Sequence, residues 1–203
     1  YPGVDFAKLD AQTDADLPEA LADWLAQHPD ANVVMQVGMF RHEKGHHIVL
    51  EAIAQLLKTR PNTVYVMAGG GKSDALTAQI ERLGLQDKVW MGELRAIAPA
   101  LRRADVMVMP SLLEPLGMVQ IEALGLAVPV IVSNVGGIPE TVTHQQTGLI
   151  VDDMIPAAWA QAIDYALSHP ETMKQWALAG QAQMRQQFSP AHTTERLLQL
   201  LDA

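Results

Sequence analysis

Residues 106–132 read VMVMPSLLEPLGMVQIEALGLAVPVIV, and this stretch is the strongest single indication of the fold. Its two ends are Val106–Met109, a run of Val and Met, and Val128–Val132, a run of Val and Ile that is interrupted only by Pro129. Such runs are typical of strands buried on both faces and therefore of parallel strands. The residues between them, Leu116–Leu126, have the apolar spacing of an amphipathic helix. Strand, helix and strand in this order form the repeating unit of an α/β fold.

The same unit recurs on both sides of this stretch. Further strands are predicted at Val33–Val37, Val64–Ala68, Val89–Met91 and Gly148–Val151. Helices are predicted at Leu17–Gln27 (the one helix expected within residues 1–31), Lys44–Thr59, Asp74–Leu83, Pro156–Leu167, Thr172–Gln187 and Ala191–Leu201. The pattern predicts one α/β domain over residues 1–203, with a Rossmann-like, doubly wound parallel sheet of about six strands followed by C-terminal helices.

Composition limits the classes of function. The net charge of −9 argues against a nucleic-acid-binding protein, which would normally present a basic face. The absence of cysteine removes disulfides and thiolate metal sites and fits a reducing compartment. No apolar run approaches the roughly 18 residues that a membrane-spanning helix needs. The chain opens at Tyr1 rather than at a methionine, so we expect a fragment cut at a domain boundary.

In an open parallel sheet, ligands bind beyond the carboxyl ends of the strands. The segments that follow the predicted strands are Gly38–Gly45, Gly69–Ser73, Gly92–Arg95, Pro110–Gly117 and Ser133–Glu140. These segments are therefore the places where binding residues are expected.

Glu114 and Glu122 lie on either side of a predicted helix start. Pro115 suits the first helical turn, and Leu116, Gly117 and Met118 would then offer free N–H groups to a phosphate. Carboxylates accept hydrogen bonds from hydroxyls, so the arrangement fits sugar hydroxyls, a diphosphate and ribose hydroxyls. The alternative is structural: one Glu complements the helix dipole and the other is paired elsewhere.

Two cations follow the first strand. Arg41 and Lys44 lie in a glycine-flanked turn and can neutralise a diphosphate, or they are simply solvated at a helix start. The same turn contains His42-Glu43-Lys44-Gly45-His46, which matches H-E-x-x-H. A zinc site is disfavoured because the string crosses a strand-to-helix turn and has no suitable third ligand downstream. We therefore expect no metal.

Two glycine-containing segments give weaker indications. Ala68–Ser73 lacks the first glycine of a phosphate-binding P-loop and the third glycine of the dinucleotide-binding pattern. It is better explained as a strand end where the backbone approaches a ligand or the next helix. Ser133–Glu140 either lines the cleft with N–H groups or forms a tight turn.

Together and in this order, the segments resemble the C-terminal, nucleotide-sugar-binding half of the family 4 (group 1) glycosyltransferases, which have the two-domain GT-B fold. The resemblance covers nearly the whole chain. Its motifs are Gly3–Asp5, Lys44–Gly45, Ala68–Gly71, Ala104–Ser111, Glu114–Glu122, Pro129–Val132, Gly136–Glu140 and Thr147–Val151.

The resemblance implies a role for each matching residue. Glu114 would contact the hydroxyls of the donor sugar and be the catalytic residue of this half, and Glu122 would contact the ribose. Backbone groups near Gly117 and Met118, with Lys44, would hold the diphosphate, and the backbone around Trp90 would contact the base. The donor site is thus expected to include Gly38, Arg41, Lys44, Gly69, Trp90, Leu116, Gly117, Met118 and Glu122.

The resemblance also implies an activity and its setting. Such enzymes transfer a sugar from a UDP-, GDP- or ADP-sugar to an acceptor with retention, without a metal or a cofactor, and a leaving-diphosphate oxygen draws the acceptor proton. The N-terminal acceptor domain is absent from this chain, so the isolated domain should be inactive. A cytoplasmic location is implied, and association with the inner face of the membrane would come only through the missing domain.

One residue departs from the family pattern. Met39 stands where the family commonly has an arginine, and Arg41 offers a charge two positions later. Met39 favours an alternative, a non-catalytic nucleotide-binding or partner-docking domain of the same architecture. A third possibility, another GT-B enzyme such as a nucleotide-sugar epimerase, fits the Glu114–Glu140 segment less well.

Overall fold

A parallel sheet forms the centre of the structure, a computed structural model that describes residues 3–201. Its six strands within that range are β1 (Asn32–Val37), β2 (Thr63–Ala68), β3 (Val89–Gly92), β4 (Val106–Met109), β5 (Val130–Ser133) and β6 (Leu149–Val151). They lie in the order β3-β2-β1-β4-β5-β6, with every neighbouring pair parallel. The predicted Rossmann-like sheet is confirmed, and each predicted strand is present within a few residues of its expected bounds.

Helices cover both faces of the sheet. They are α1 (Phe6–Gln12), α2 (Glu19–Ala26), α3 (His46–Leu56), α4 (Asp74–Leu83), α5 (Ala98–Leu101), α6 (Met118–Gly125), α7 (Pro156–Ser168), α8 (Pro170–Gln187) and α9 (Pro190–Leu201). One core lies under α1, α2, α5 and α6, and the other lies under α3, α4 and α7. None of the helices within residues 3–201 is long and apolar enough to cross a membrane.

The strands are apolar along their length because each face of the sheet has its own core. In β2, Val64 and Val66 point to the first core, while Tyr65 and Met67 point to the second. All four side chains are buried. This double burial explains the continuous apolar runs that the sequence shows in place of alternation.

The expectation of a single helix within residues 1–31 is wrong, because α1 precedes α2. The Asp5 carboxylate caps α1 by accepting a hydrogen bond from the Lys8 backbone N–H at 2.9 Å. Phe6 and Leu9 bury the helix against the first core. A helix of seven residues is less than two full turns, so its apolar spacing is too short to distinguish it from a loop.

The expectation that Pro115 lies in the first turn of a helix is also wrong. Helix α6 begins at Met118, and Gly117 before it has φ +81°, which is outside the helical region and favours glycine. The carbonyls of Glu114 and Pro115 accept hydrogen bonds from the Gly137 N–H at 3.3 and 3.0 Å. Residues 114–117 are therefore held as a loop, and the helix starts after it.

The sheet changes direction between β1 and β4. From β1 the chain proceeds outward through β2 and β3, and it then returns so that β4 pairs with the other side of β1. Loops that leave two such neighbouring strands diverge to opposite faces and leave a crevice between them. The two loops at this crevice are those that carry Lys44 and Glu114.

Candidate functional site

The loops after β1 and β4 are joined to each other. The Leu112 N–H donates a hydrogen bond to the Glu43 carbonyl at 2.7 Å. Gly45, with φ +69°, lies so close to the second loop that a Cβ atom there would be 1.9 Å from the Pro110 carbonyl oxygen. This contact fixes how the cation of one loop faces the carboxylate of the other.

Lys44 and Glu114 form an ion pair at the crevice. The Lys44 Nζ lies 2.6 Å from Glu114 Oε2, and the two side chains are 26% and 13% exposed. Each strand end contributes one member, as expected for loops that meet at the carboxyl edge of a sheet. The pair leaves the second carboxylate oxygen and two ammonium protons available to a ligand.

Gln36, which the sequence analysis did not single out, supports Lys44 from below. Its side chain is buried in β1, where Nε2 donates a hydrogen bond to the Lys44 carbonyl at 2.7 Å and Oε1 accepts one from the Tyr65 hydroxyl. An amide within an otherwise apolar buried strand was the available signal, because buried polar groups need partners.

The start of α6 presents free N–H groups beside this pair. Within residues 3–201, the N–H groups of Leu116, Gly117 and Met118 donate no hydrogen bond. Such groups, together with the helix dipole, make a helix N-terminus attractive to anions. The segment 133–140, through Gly137, holds this loop in place and itself forms a turn and a short 3-10 helix at Ile138–Glu140.

Glu122 lies farther along α6, in a separate cleft against α1. The cleft has a volume of about 290 Å³ and is lined by Gly3, Val4, Asp5, Lys8, Leu9, Gln12, Met118 and Glu122. The carboxylate is partly buried, and it has no hydrogen-bond or ion-pair partner among the described residues. Burial raises the pKa of Glu122 above its usual value.

A second cavity opens at the ends of β1, β2 and β3. It has a volume of about 370 Å³, and its lining residues are Val37, Gly38, Met39, Ala68, Gly69, Gly70, Gly71, Glu93, Leu94 and Ile97. The predicted residues Gly38 and Gly69 thus share one cavity. A Cβ atom on Gly38 would lie 3.7 Å from Lys44 Cγ, so the cavity adjoins the ion pair.

Three other residues of interest lie apart from the ion pair. Met39 is 45% exposed at the cavity rim. The Arg41 side chain is 65% exposed, and its Nη1 lies 3.8 Å from Glu43 Oε1. Trp90 pairs with Val66 in the edge strand β3, and its ring packs against the first core.

The histidines of the H-E-x-x-H string face different surroundings. His46 is buried, with Nε2 3.3 Å from the Gly38 carbonyl oxygen, and burial lowers its pKa to about 4. The His42 ring instead stacks on His47, with centroids 4.4 Å apart. No group of three or more His, Asp or Glu side chains within residues 3–201 is placed to hold a metal ion.

Comparison with known proteins identifies relatives of the whole chain. The family model for glycosyl transferases group 1 matches residues 22–183. The D-inositol 3-phosphate glycosyltransferase of Segniliparus rotundus is 33% identical over 97% of this chain and 44% of its own length. The alpha-maltose-1-phosphate synthase of Mycolicibacterium smegmatis is 29% identical over 83% of this chain and 47% of its own. The chain spans about half the length of the curated relatives it matches.

Solved structures give the same fold. The structure of Anabaena Alr3699/HepE in complex with UDP-glucose superimposes with a TM-score of 0.85 and 24% sequence identity. The match covers 100% of this chain and 56% of the HepE chain. The C-terminal domain of a group 1 glycosyl transferase (LpcC) from Francisella tularensis has a TM-score of 0.73 and 19% identity, and the match covers 93% of this chain and all of the LpcC domain. The chain therefore belongs to the group 1 glycosyl transferases and has the fold of the C-terminal half of a GT-B enzyme.

Proposed function

We propose that this chain is the donor-binding domain of a retaining glycosyltransferase that transfers a sugar from a nucleotide-diphosphate sugar to an acceptor. The observation that carries the proposal is the Lys44–Glu114 pair at 2.6 Å, formed across the crevice where the sheet changes direction. That crevice is the general ligand site of doubly wound sheets. A cation for phosphate and a carboxylate for hydroxyls meet there.

The donor would bind along α6. The Lys44 ammonium and the N–H groups at Leu116–Met118 would hold the diphosphate, while Glu114 accepts hydrogen bonds from the sugar hydroxyls. Glu122 would accept the ribose hydroxyls. Its partly buried carboxylate supports this role, because it has no partner among the described residues and a ligand donor would satisfy it.

The proposed chemistry breaks the bond between the anomeric carbon and the diphosphate oxygen. Negative charge then develops on the leaving diphosphate, where the Lys44 ammonium and the helix N–H groups would stabilise it without a metal. The departing oxygen takes the acceptor's proton, and the acceptor oxygen bonds to the anomeric carbon on the face that the diphosphate leaves, so that configuration is retained. Glu114 would keep the sugar oriented during this exchange.

The acceptor site is assigned to an N-terminal domain in cis. The relatives' greater length supports this assignment, as do HepE structures with UDP and UDP-glucose whose chains extend beyond the matched region. The domain alone would bind the donor and transfer nothing. A cytoplasmic location, with any contact to the inner membrane face made by the N-terminal domain, belongs to the same proposal.

Calorimetric titration with UDP-, GDP- and ADP-sugars tests the proposal. At least one should bind, and Lys44→Ala should weaken that binding by about 1.5–3 kcal/mol through loss of a charge-assisted phosphate contact. Lys58→Ala is the matched control, since Lys58 is exposed just beyond α3, at the opposite end of that helix from Lys44. Absence of binding by every donor, or equal losses in the two variants, would contradict the proposal.

Met39 supports a second candidate, a non-catalytic nucleotide-binding or partner-docking domain. At the rim of the cavity an exposed thioether stands where the family commonly has a cation, and Arg41 is directed toward Glu43 instead. The decisive assay joins the domain to its own N-terminal half and measures sugar transfer and donor hydrolysis. Donor binding without either reaction would favour this candidate.

A further inference from the structure

The cavity at the ends of β1–β3 adjoins the proposed diphosphate site and differs from it in character. Gly38 forms the shared wall, since a Cβ atom there would lie 3.7 Å from Lys44 Cγ. The other walls are the glycine backbone at 69–71 and the apolar side chains of Val37, Met39, Ala68, Leu94 and Ile97. A cavity of about 370 Å³ lies within the usual range of small-molecule sites, roughly 300–1,000 Å³. Its apolar walls and its position suit the flat base of a nucleotide.

One charged side chain, Glu93, lines this cavity. The Gly69 N–H donates a hydrogen bond to the Gly92 carbonyl at 2.8 Å, which brings the following residues, Gly70 and Glu93, side by side. A Cβ atom on Gly70 would lie 2.4 Å from Glu93 Oε1 and 3.1 Å from its Cδ. The carboxyl group therefore occupies the space that a side chain at Gly70 would take.

Glu93 is exposed, and within residues 3–201 its carboxylate has no hydrogen-bond or ion-pair partner, so it is free to meet a ligand that enters the cavity. Water solvates this exposed carboxylate in the free protein, so a base that covers it must replace those hydrogen bonds or meet repulsion from the charge. A carboxylate accepts hydrogen bonds and donates none. A base that presents hydrogen-bond donors toward Glu93 is therefore favoured over one that presents acceptors.

Among the common bases, guanine alone presents two adjacent donors on its pairing edge, N1–H and the N2 amino group. The two oxygens of a carboxylate can accept both at once, which is a charge-assisted, bidentate contact. Uracil instead places two carbonyl oxygens around its single N–H, and adenine places the lone pair of N1 beside its amino group. For these bases, a carboxylate oxygen would face another acceptor.

We propose that Glu93 reads the pairing edge of guanine and that the donor of this enzyme is a GDP-sugar. The inference rests on the proposed donor-binding function, which it extends from a nucleotide-sugar in general to one base. Gly70 takes part by leaving room for the carboxyl group. No sequence motif indicates this role for Glu93. The position of its carboxyl group over Gly70 indicates it.

Titration of the chain with GDP, UDP and ADP tests the proposal. GDP should bind at least about tenfold more tightly than UDP or ADP, the size of discrimination that one bidentate base contact gives. Glu93→Gln should lower GDP affinity about tenfold or more and raise UDP affinity, because the amide can donate to a uracil carbonyl and accept from its N–H. A change of preference from GDP to UDP is a result that loss of structure alone would not produce.

Two further variants complete the experiment. Gly70→Ala retains the carboxylate but displaces it, so it should lower the GDP-to-UDP affinity ratio while the urea unfolding curve stays near that of the wild type. Glu81→Gln removes the same charge from the exposed side of α4 and should leave the ratio unchanged.

The outcomes separate the two proposals. If UDP or ADP binds as tightly as GDP, or if Glu93→Gln changes all three affinities equally or not at all, the assignment to guanine is wrong and the donor-binding function stands. If no nucleotide or nucleotide-sugar binds to the wild-type chain, the donor-binding function itself is wrong, and the assignment of Glu93 is wrong with it.

Discussion

Two regions of the molecule each contain a glutamate from one short segment of the chain. The Glu114 region consists of the loops after β1 and β4, which the Lys44–Glu114 pair joins, and the Glu122 region is the cleft between α1 and α6. The two carboxylates differ in their electrostatic surroundings. Glu114 is paired with Lys44 at 2.6 Å, and backbone contacts between the two loops hold that pair. Glu122 lies in its cleft with no ion-pair partner among the described residues, and burial raises its pKa. Two glutamates from the same short segment therefore differ in their partners and in their pKa values.

The difference predicts how each region would meet the proposed donor. In the Glu114 region the charges are already matched, so the proposed donor would enter a pre-organised site. In the Glu122 region a partly desolvated carboxylate lacks a partner, so ligand hydroxyls would relieve an existing cost. Substitutions in the first region should weaken the fold, and a substitution in the second should not.

Gly45→Ala should break the Glu114 region most severely. The new methyl group would lie 1.9 Å from the Pro110 carbonyl oxygen at a residue with φ +69°, so both overlap and backbone strain oppose it. We expect the free energy of unfolding to fall by about 3 kcal/mol, measured by urea denaturation. Gly84→Ala is the control, because Gly84 has φ +67° with nothing near its Cβ position, and it should cost only about 1 kcal/mol. Equal losses would mean that the contact between the loops is unimportant.

Acid should weaken the Glu114 region through His46. Burial, assisted by the nearby positive charges of His47 and Lys44, lowers the pKa of His46 to about 4, below the ordinary value of 6.5. The unfolded chain therefore binds the proton more readily than the folded one. The stability that neutral His46 contributes to the folded state is fully present above pH 6.5 and is lost as the pH falls from 6.5 toward 4. Its size is about 3 kcal/mol.

Urea unfolding at several pH values between 7.5 and 4.5 measures this loss. In His46→Gln the amide can still donate to the Gly38 carbonyl, and the decline of stability over this range should become shallower than in the wild type. Parallel pH profiles for the two proteins would show that His46 does not titrate as described.

Glu114→Gln should lower the free energy of unfolding by about 1 kcal/mol, because Lys44 keeps a hydrogen-bond acceptor but loses the matching charge. Glu43→Gln provides the comparison, since its ion pair with Arg41 is 3.8 Å long and exposed, and should cost nothing measurable. If both variants unfold like the wild type, the Lys44–Glu114 ion pair contributes no more to stability than the exposed Arg41–Glu43 pair.

Glu122→Gln should have the smallest effect and the opposite sign. Its raised pKa means that the folded state favours the neutral form, so the wild-type protein gains stability as the pH falls through that pKa toward the usual value. Replacing the carboxylate by a neutral amide should therefore stabilise the protein at pH 7.5 by about 0.5 kcal/mol or less. The gain should disappear in acid, and a loss of stability at pH 7.5 would reveal an unrecognised partner of Glu122.

The fold was predictable because it depends on long apolar runs. The run at Val33–Val37, for example, identified β1 to within one residue, since burial on both faces demands apolar side chains throughout. Helix α1 was missed because seven residues carry too little periodicity. Pro115 was misplaced because the contact that keeps its loop non-helical comes from Gly137, which is distant in sequence.

The site was predictable in its composition but not in its contacts. Placing Lys44 and Glu114 after two parallel strands predicted that they lie at one edge of the sheet, yet their direct pairing depends on the strand order, with β4 beside β1. Glu93 and Gln36 were harder to identify from the sequence, because the residues that surround them belong to neighbouring strands. Sequence periodicity reports burial, and it does not report which loops face each other.

The pairing of β1 with β4 also bears on how the protein is made. Lys44 and Glu114 are 70 residues apart, so the site cannot form on a nascent chain until β4 has left the ribosome and docked beside β1. Contacts of such long range are slow to form, since much chain entropy is lost before they are reached. The nucleotide donor proposed above would need both residues and would bind only the completed sheet. At cellular concentrations it would then select finished molecules and protect them from unfolding and degradation.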